Sequence, residues 1–344
     1  MPSAIDTFHI EMEENGVAIS RVTLQRADLE RQEFQPDAIR ASLSTARIGP
    51  AGSSEGLTAI PNPRLEWGIG PYVGLSLFDP DNPLRADFGL EASASYAFTS
   101  NFSVSGALRG KLIGNRDQST RVSDSVLPHV RSDQPLYNQN GAYGIQSLTA
   151  DYFGKIGDDL YTRVSLGYFE EMFAGGSAEV LWKPVDSRLA IGAEINQVMQ
   201  RDTDKMFGFD EYDYAVTMGH VSGYYSFENG IDMQLDMGRY LAGDWGATLS
   251  VDRRFGNGWK VGAFATLTDV PFDDFGEGSF DKGIRLSIPI SWVLGQPTRE
   301  KTNISLRSIQ RDGGARLNVG NRLYETVRGY HAPELSDQWG RFWR

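Results

Sequence analysis

A histidine and a serine two residues apart are the pair in this sequence most suggestive of a reaction. His220 and Ser222 lie in the segment GHVSG, and Gln234 follows in the next alternating segment. A serine becomes a nucleophile when a histidine accepts its proton and a third group orients that histidine. Because residues i and i+2 share one face of a strand, the pair is compatible with such a site. The spacing arises readily by chance, so we predict a buried interior histidine and assign no catalytic residue.

Two acidic segments could supply oxygen ligands or glycosidase acids. The segment PFDDFGEGSFD holds the carboxylates Asp273, Asp274, Glu277 and Asp281, and RDTDKMFGFDEYD is a second acidic segment. Oxygen-rich loops can bind Ca²⁺, but the EF-hand spacing is absent. We therefore predict solvated loops and no metal site. The sequence also contains no glycine loop that would cradle a phosphate and no zinc-ligand spacing, so we predict no cofactor.

The elements that position the remaining charged residues are long strands. In LRADFGLEASASYAFTS, apolar residues from Leu84 to Phe98 alternate with residues such as Arg85, Asp87 and Glu91. A side-chain period of two is typical of a strand with one apolar face and one polar face. The pattern recurs along the chain and predicts about twelve strands. These lie near residues 64–78, 84–99, 102–114, 142–155, 159–170, 177–184, 188–200, 213–227, 231–241, 246–255, 259–270 and 283–293.

The connections between these strands alternate between short and long. Short turns rich in Asn, Asp and Gly follow the even-numbered strands, and the longest links are residues 115–141, 201–212 and 271–282. Outer-membrane barrels have short periplasmic turns and longer extracellular loops. We therefore predict an all-β chain that forms a transmembrane antiparallel β-barrel, and an even strand number would put both barrel ends at the periplasmic side. The alternative is a soluble β-sandwich whose aromatic residues fill its core.

Tryptophans support the barrel because they fall beside the predicted short turns. Aromatic side chains gather at membrane interfaces and form girdles around barrels. The predicted periplasmic girdle comprises Trp67, Trp182, Trp259 and Trp292.

Charged and aromatic residues on the polar faces would line the lumen. They predict either a network of ion pairs that fills a narrow barrel or a polar path for a glycan, and the two roles can coexist. The predicted lining residues are Tyr72, Arg85, Asp87, Glu91, Arg109, Lys111, Tyr161, Arg163, Glu194, Asp232, Asp236, Asp252 and Arg285.

Composition excludes several classes of function. The formal net charge of −12 argues against a nucleic-acid partner, and the absence of cysteine excludes disulfides and thiolate metal sites. The sequence contains no apolar run of about 18 residues, which is the length that a transmembrane helix needs. The first residues lack the basic and apolar regions of a signal peptide, so the sequence is that of a cytosolic protein or of a mature form or fragment.

Two terminal segments lie outside the strand pattern. Residues 1–58 predict a hairpin, a short polar helix and a linker, which we place in the periplasm as a small α/β segment. Residues 59–295 are the predicted barrel. Residues 296–344 predict a C-terminal extension that docks in the periplasm, plugs the lumen or adds two strands.

The segment from GRYLAGDWG to FGEGSFDKG, together with NVGNRLYETVRGYHAPELSDQWGRFW, resembles the C-terminal half of the YjbH family. These are outer-membrane exopolysaccharide biosynthesis proteins related to those of group 4 capsules. The resemblance covers nearly the whole chain. It implies a longer protein, with a signal peptide and a further N-terminal half, in the outer membrane of a Gram-negative bacterium. It also implies exopolysaccharide as a partner, along with periplasmic and lipoprotein partners.

Two further patterns indicate envelope partners. Asp281, Gly283, Leu286 and Ile288 resemble the signal that the barrel-assembly machinery reads, and basic residues of the loop 116–141 could contact lipopolysaccharide phosphates among the outer-membrane lipids. We predict a barrel that supports exopolysaccharide export or assembly and is not an enzyme. The alternatives are a non-conducting docking barrel and an enzyme that acts on lipid or glycan.

Overall fold

A small α/β unit at the N-terminus begins with a hairpin. The computed structural model describes residues 5–52, 56–58, 63–77, 82–120, 122–271, 280–289, 301–307 and 312–339. Strands β1 (Thr7–Glu14) and β2 (Val17–Gln25) pair through a turn in which Asn15 and Gly16 both have positive φ, as a two-residue type I′ turn requires. Helices α1 (Arg26–Gln32) and α2 (Ala38–Thr45) follow, and β3 (Arg47–Pro50) completes a three-stranded sheet.

Thirteen further strands form one antiparallel sheet that curls into a nearly closed barrel. Each strand pairs with the strands before and after it in sequence, and in the described part of the chain β4 and β16 are the two edges. The strands are β4 (Leu65–Leu77), β5 (Leu84–Ala97), β6 (Phe102–Gly114), β7 (Tyr143–Ile156), β8 (Leu160–Tyr168), β9 (Phe173–Trp182), β10 (Leu189–Gln200), β11 (Ala215–Ser226), β12 (Ile231–Arg239), β13 (Trp245–Arg254), β14 (Lys260–Thr268), β15 (Asp281–Pro289) and β16 (Lys301–Arg307).

The barrel reverses the usual distribution of polar and apolar residues. Along β10, the inward side chains of Glu194 and Asn196 are buried, whereas the outward side chains of Ile191 and Ile195 are about half exposed. The same alternation holds in β11, β13 and β14. A charged interior and an apolar exterior are the pattern of a barrel that faces lipid.

The predicted all-β antiparallel barrel is confirmed, with thirteen strands among the described residues against the predicted number of about twelve. The additional strand, β16, lies in the segment assigned to the C-terminal extension. Its seven residues are the shortest strand of the barrel, and so short an alternation gives little signal. Because the number of described barrel strands is odd, β16 ends at the opposite side of the barrel from the start of β4.

The connections divide the barrel into two ends. The short-turn end carries the links 98–101, 157–159, 183–188, 227–230 and 255–259, and the long-loop end carries 115–142, 169–172 and 201–214. Helix α3 (Gln134–Asn140) lies in the first of these loops. None of the described helices is both long and apolar enough to cross a membrane.

Three buried apolar clusters lie along the barrel axis. One, with Phe173 and Leu241, lies under the long loops, and a second, with Tyr161 and Tyr324, lies towards the short-turn end. The third joins the N-terminal sheet to Leu335 and Trp339 near the C-terminus. All three clusters include residues of the segment 312–339, which contains α4 (Leu323–Val327) and α5 (Ala332–Asp337).

Candidate functional site

The lumen is the candidate site, and the C-terminal tail (residues 312–339) runs through it from end to end. At the long-loop end, the carboxylate of Asp312 accepts hydrogen bonds from the backbone N–H groups of Arg131 at 2.7 Å and Ser132 at 2.9 Å. At the short-turn end, the N–H of Ala332 donates to the carbonyl of Val185 at 2.8 Å. Residues 312–339 therefore lie inside the barrel, and we call this segment the plug, whereas β16 of the same predicted extension adds one strand to the sheet.

Three arginines of the tail form ion pairs with carboxylates of the barrel wall. Their distances are 2.7 Å for Arg316 to Asp236, 2.8 Å for Arg322 to Glu194 and 2.7 Å for Arg328 to Asp232. Each of these carboxylates is buried. In a site of low dielectric constant such pairs are strong, and each charge there requires its partner.

The Arg322 pair connects the plug to further charges of the barrel wall. Burial by itself would lower the pKa of the Arg322 guanidinium, but the Glu194 carboxylate outweighs burial and raises it. Glu194 also lies 3.6 Å from Arg163 of β8, which in turn pairs with Glu179 at 3.0 Å. The wall and the plug thus share one continuous charge network.

Five of the predicted lumen residues contact this plug or the network that holds it: Tyr161, Arg163, Glu194, Asp232 and Asp236. Asp252 and Arg285 pair with each other across β13 to β15 at 3.0 Å. For these residues the structure shows an ion-pair network, and a role as a glycan path stays a prediction.

The other six predicted residues lie on the opposite wall, in β4 to β6. There the long-loop end contains a small cleft that is continuous with solvent. We call it the outer cleft; its polar lining is Tyr72, Asp87, Arg109, Lys111, Arg116, Asn138, Gln146, Glu171 and Lys205. Glu91 adjoins it through a 2.5 Å hydrogen bond from Arg109, and Arg85 is buried beside it in β5.

The wall below the outer cleft is not filled by the plug. Among the described residues, a Cβ atom added at the inward-facing Gly70 would meet no heavy atom within 4 Å, and one at Gly68 would meet only the Ser93 hydroxyl at 4.0 Å. By contrast, a Cβ added at the inward-facing Gly192 of β10 would touch Leu181 at 3.4 Å. The contacts of the plug lie on β8 to β14, and no described residue fills the space beside Gly68 and Gly70.

Comparison with known proteins gives the family. Residues 1–329 match the model of the YjbH family, which is described as "Exopolysaccharide biosynthesis protein YbjH". The chain belongs to the YjbH family. It is 34% identical over 336 residues to a protein of Escherichia coli strain K12 named "Uncharacterized lipoprotein YjbH". The match covers 94% of this chain and 48% of that relative, so the chain spans about half the relative's length.

Three of the four tryptophans of the predicted girdle lie within the described residues of this YjbH-family chain. Trp67 and Trp182 point outward near the short-turn end, with exposed fractions of 72% and 40%, and Trp259 in the last of the described short turns is half-buried. Trp292 lies outside the described residues. A second set of outward aromatic residues, absent from the prediction, lies at the long-loop end and includes Trp245 and Phe207.

The candidate nucleophile does not have catalytic geometry. The Ser222 hydroxyl donates to Asp236 at 2.5 Å instead of to His220. His220 is buried against the edge of the Tyr240 ring, and among the described residues neither of its ring nitrogens has a hydrogen-bond partner. Gln234 donates to Asp236 as well. Asp273, Asp274 and Glu277 lie outside the described residues, and the part of the chain that is described holds no cluster of metal ligands.

Six residues that complete the lumen fall outside the predicted lining. These are Arg316, Arg322 and Arg328 of the plug, Glu171 and Lys205 of the loops, and Arg116, which was predicted instead to contact lipopolysaccharide phosphates. One feature of the sequence could have indicated the plug. The inward residues predicted on β10 to β13 were mostly acidic, and such a wall favours a cationic partner. The sequence contains no comparable feature for the loop residues, because they follow no periodicity.

Proposed function

We propose that this chain is an outer-membrane β-barrel that supports export or assembly of an exopolysaccharide without catalysing a reaction. The observation that carries the proposal is the barrel itself, with its charged interior and its exposed apolar exterior. The YjbH family is described by exopolysaccharide biosynthesis, and the E. coli relative is named a lipoprotein. Both descriptions support a place in the cell envelope.

The exterior supports insertion in a bilayer. Outward side chains at mid-strand, such as Leu90, Val164, Ile195 and Leu249, are 42–59% exposed. A contiguous apolar band of this kind is costly in water and stable in lipid. Aromatic residues border the band at both ends, as they do at membrane interfaces. We propose outer-membrane lipid, including lipopolysaccharide, and the barrel-assembly machinery as partners in this setting.

The space beside β4 supports a glycan path. Gly68 and Gly70 face this space, and Ser93 and Glu91 line it from β5. Small and hydroxyl-bearing side chains leave room for a sugar chain and can form hydrogen bonds with it. The polymer would pass between the plug and the β4–β6 wall, and the plug would not have to leave the barrel.

The test is to block this space in the natural, full-length protein in its own cells. We expect Gly70→Trp to reduce the polysaccharide recovered from the medium at least severalfold, because the indole would occupy the path. The matched control is Gly223→Trp in β11, where an added Cβ also meets no heavy atom but faces outward. We expect normal secretion from that variant. Heat-modifiable migration on gels would verify that both variants fold.

Normal secretion from folded Gly70→Trp would overturn the path. It would favour the second candidate, a docking barrel for periplasmic partners of the pathway. A specific observation supports this candidate: Phe34 and Ile39, in and beside the N-terminal helices, are 89% and 53% exposed. For a dock, secretion should fail with Phe34→Ser and Ile39→Ser instead, since exposed apolar residues form the centre of protein interfaces.

A further inference from the structure

The outer cleft is assembled around glycines that allow large side chains to lie flat against the wall. A Cβ at Gly74 would lie 2.5 Å from Arg116 Nη1, and a Cβ at Gly144 would lie 2.5 Å from the Cβ of Lys205. Tyr72 similarly lies over Gly89. Because four positions lack side chains that would displace their neighbours (Gly141 is the fourth, under Lys205), the polar groups converge on one open volume.

Three of the four cations of the outer cleft have carboxylate partners. Arg109 pairs with Glu91 at 2.5 Å, Lys111 with Asp117 at 2.6 Å and Lys205 with Glu171 at 3.3 Å. Burial by itself would raise the pKa of Glu171, but Lys205 and then Arg116 hold it below its usual range, so this carboxylate is charged.

Arg116 is the fourth cation, and it differs from the others. Among the described residues no carboxylate oxygen lies within 4 Å of its guanidinium, and its Nε has no hydrogen-bond partner. Its backbone N–H does donate to Asp87 at 3.1 Å, which fixes the residue at the cleft. The Oε1 atom of Gln146 also has no partner within the described part of the chain. Among the described residues, the cleft thus contains one guanidinium without a direct carboxylate contact, beside an unused acceptor.

We propose that the outer cleft binds a carboxylated sugar unit, with the carboxylate on the Arg116 guanidinium. This inference rests on the proposed function and adds the chemical class of the ligand. A guanidinium binds a carboxylate through two parallel hydrogen bonds. Gln146 and Asn138 would bind ring hydroxyl groups.

The surrounding charges select against a more highly charged ligand. Asp87 and Glu171 line the same volume, and like charges at short range are repelled strongly where water is scarce. Arg116 is the cleft cation that has no direct carboxylate contact among the described residues, so the cleft offers one guanidinium to the single carboxylate of a uronate. Arg109 lies over the Tyr72 ring at 5.1 Å, so a cation–π contact holds this guanidinium flat along the floor of the cleft.

The experiment measures binding of tetragalacturonate to the full chain in detergent by calorimetry, with maltotetraose as the uncharged probe. We expect tetragalacturonate to bind at least tenfold more tightly than maltotetraose. We expect Arg116→Gln to weaken tetragalacturonate binding about tenfold or more, since a hydrogen bond to a charged group is lost. Arg116→Lys should restore part of it. The matched control is Arg40→Gln, the same charge change on the exposed face of α2.

Absence of tetragalacturonate binding, equal binding of maltotetraose, or unchanged binding by Arg116→Gln would each overturn the proposal. So would competition by inorganic phosphate at equal concentration, which would show a general anion site. The readout is independent of secretion: the cleft can bind tetragalacturonate even if Gly70→Trp secretes normally, and the reverse also holds.

Discussion

Single residues in the lumen show how a barrel can hold many buried charges. Glu194 receives two hydrogen bonds from Arg322 and one from Asn196, so its oxygens are satisfied although it is only 7% exposed. Loss of one partner from such a buried pair is costly, because the remaining charge stays in a site without water. The plug therefore stabilises the wall as much as the wall stabilises the plug.

His331 makes one part of the stability of this assembly depend on pH. Its ring is fully buried between the carbonyls of Val327 and Lys183. Burial, together with the positive charge of Lys183, lowers the pKa of His331 to about 4. In the unfolded chain a histidine has a pKa near 6.5, so between about pH 6.5 and 4 only the unfolded state binds the proton.

We therefore expect the free energy of unfolding to fall as the pH decreases from about 6.5 to about 4, by up to about 3 kcal/mol from this residue. The measurement is guanidinium unfolding of the refolded chain at pH 7.5 and pH 5. In His331→Gln, the change in the free energy of unfolding between the two pH values should be smaller by this contribution. In His9→Gln, at an exposed position, the change should be the same as in the unmodified chain. An unchanged pH dependence in His331→Gln would show that other groups cause it.

At the scale of elements, the tail joins three parts of the protein that are distant in sequence. It hydrogen bonds to the loop 115–142, pairs with β10 and β12, and ends against α2, where the Trp339 indole donates to Ser42 at 2.9 Å. The N-terminal sheet thereby closes the short-turn end of the barrel, and its Val17 and Ile19 pack in the same cluster as Tyr324.

The β1–β2 turn forms part of the contact between the N-terminal sheet and the barrel. Gly16 has φ of +70°, and a Cβ there would lie within 3 Å of the backbone of Ser100 and Asn101 in the β5–β6 turn. We expect Gly16→Ala to combine backbone strain of about 1–2 kcal/mol with displacement of the sheet from the barrel. Limited proteolysis should then cleave the N-terminal unit faster.

The matched control for Gly16→Ala is Gly157→Ala in the β7–β8 turn. Gly157 has φ of +62°, and a Cβ there would meet no heavy atom within 4 Å. Gly157→Ala should therefore introduce the backbone strain without displacing the N-terminal sheet. Equal proteolysis of the two variants would contradict the predicted contact between the turns.

At the scale of the whole molecule, the exposed apolar exterior distinguishes a membrane barrel from one that faces water. Ile195, at the middle of β10, is 59% exposed. In a bilayer, Ile195→Arg should destabilise the folded chain by about 2–4 kcal/mol, because a charge would lie in hydrocarbon. In water the same change at an exposed position should have little effect.

The measurement is urea unfolding of the chain in lipid vesicles, compared with Val122→Arg in the long loop. Val122 is 85% exposed and lies outside the strands, so its substitution should change the free energy by less than about 0.5 kcal/mol. Similar values for the two variants would remove the support for a membrane-facing exterior.

The sequence by itself determined twelve of the thirteen described barrel strands, their faces and the antiparallel barrel. A period of two over nine to fourteen residues decides which side chains share a face, so Asp87 could be assigned inward and Phe88 outward without coordinates. The Asn15-Gly16 pair likewise determined the first hairpin, since its positive φ values suit a two-residue turn. The same local pattern placed the predicted lumen residues on the polar face.

Only the tertiary structure decided what fills the lumen. Contacts such as Arg322 to Glu194, 128 residues apart in sequence, join an irregular tail to a strand, and no periodicity encodes them. It also decided that Tyr72 and Arg109 meet Arg116 and Lys205 in one cleft, since loop residues were brought there by folding. Local alternation specifies a face of a sheet, whereas the partner of a buried charge depends on the closure of the whole barrel around it.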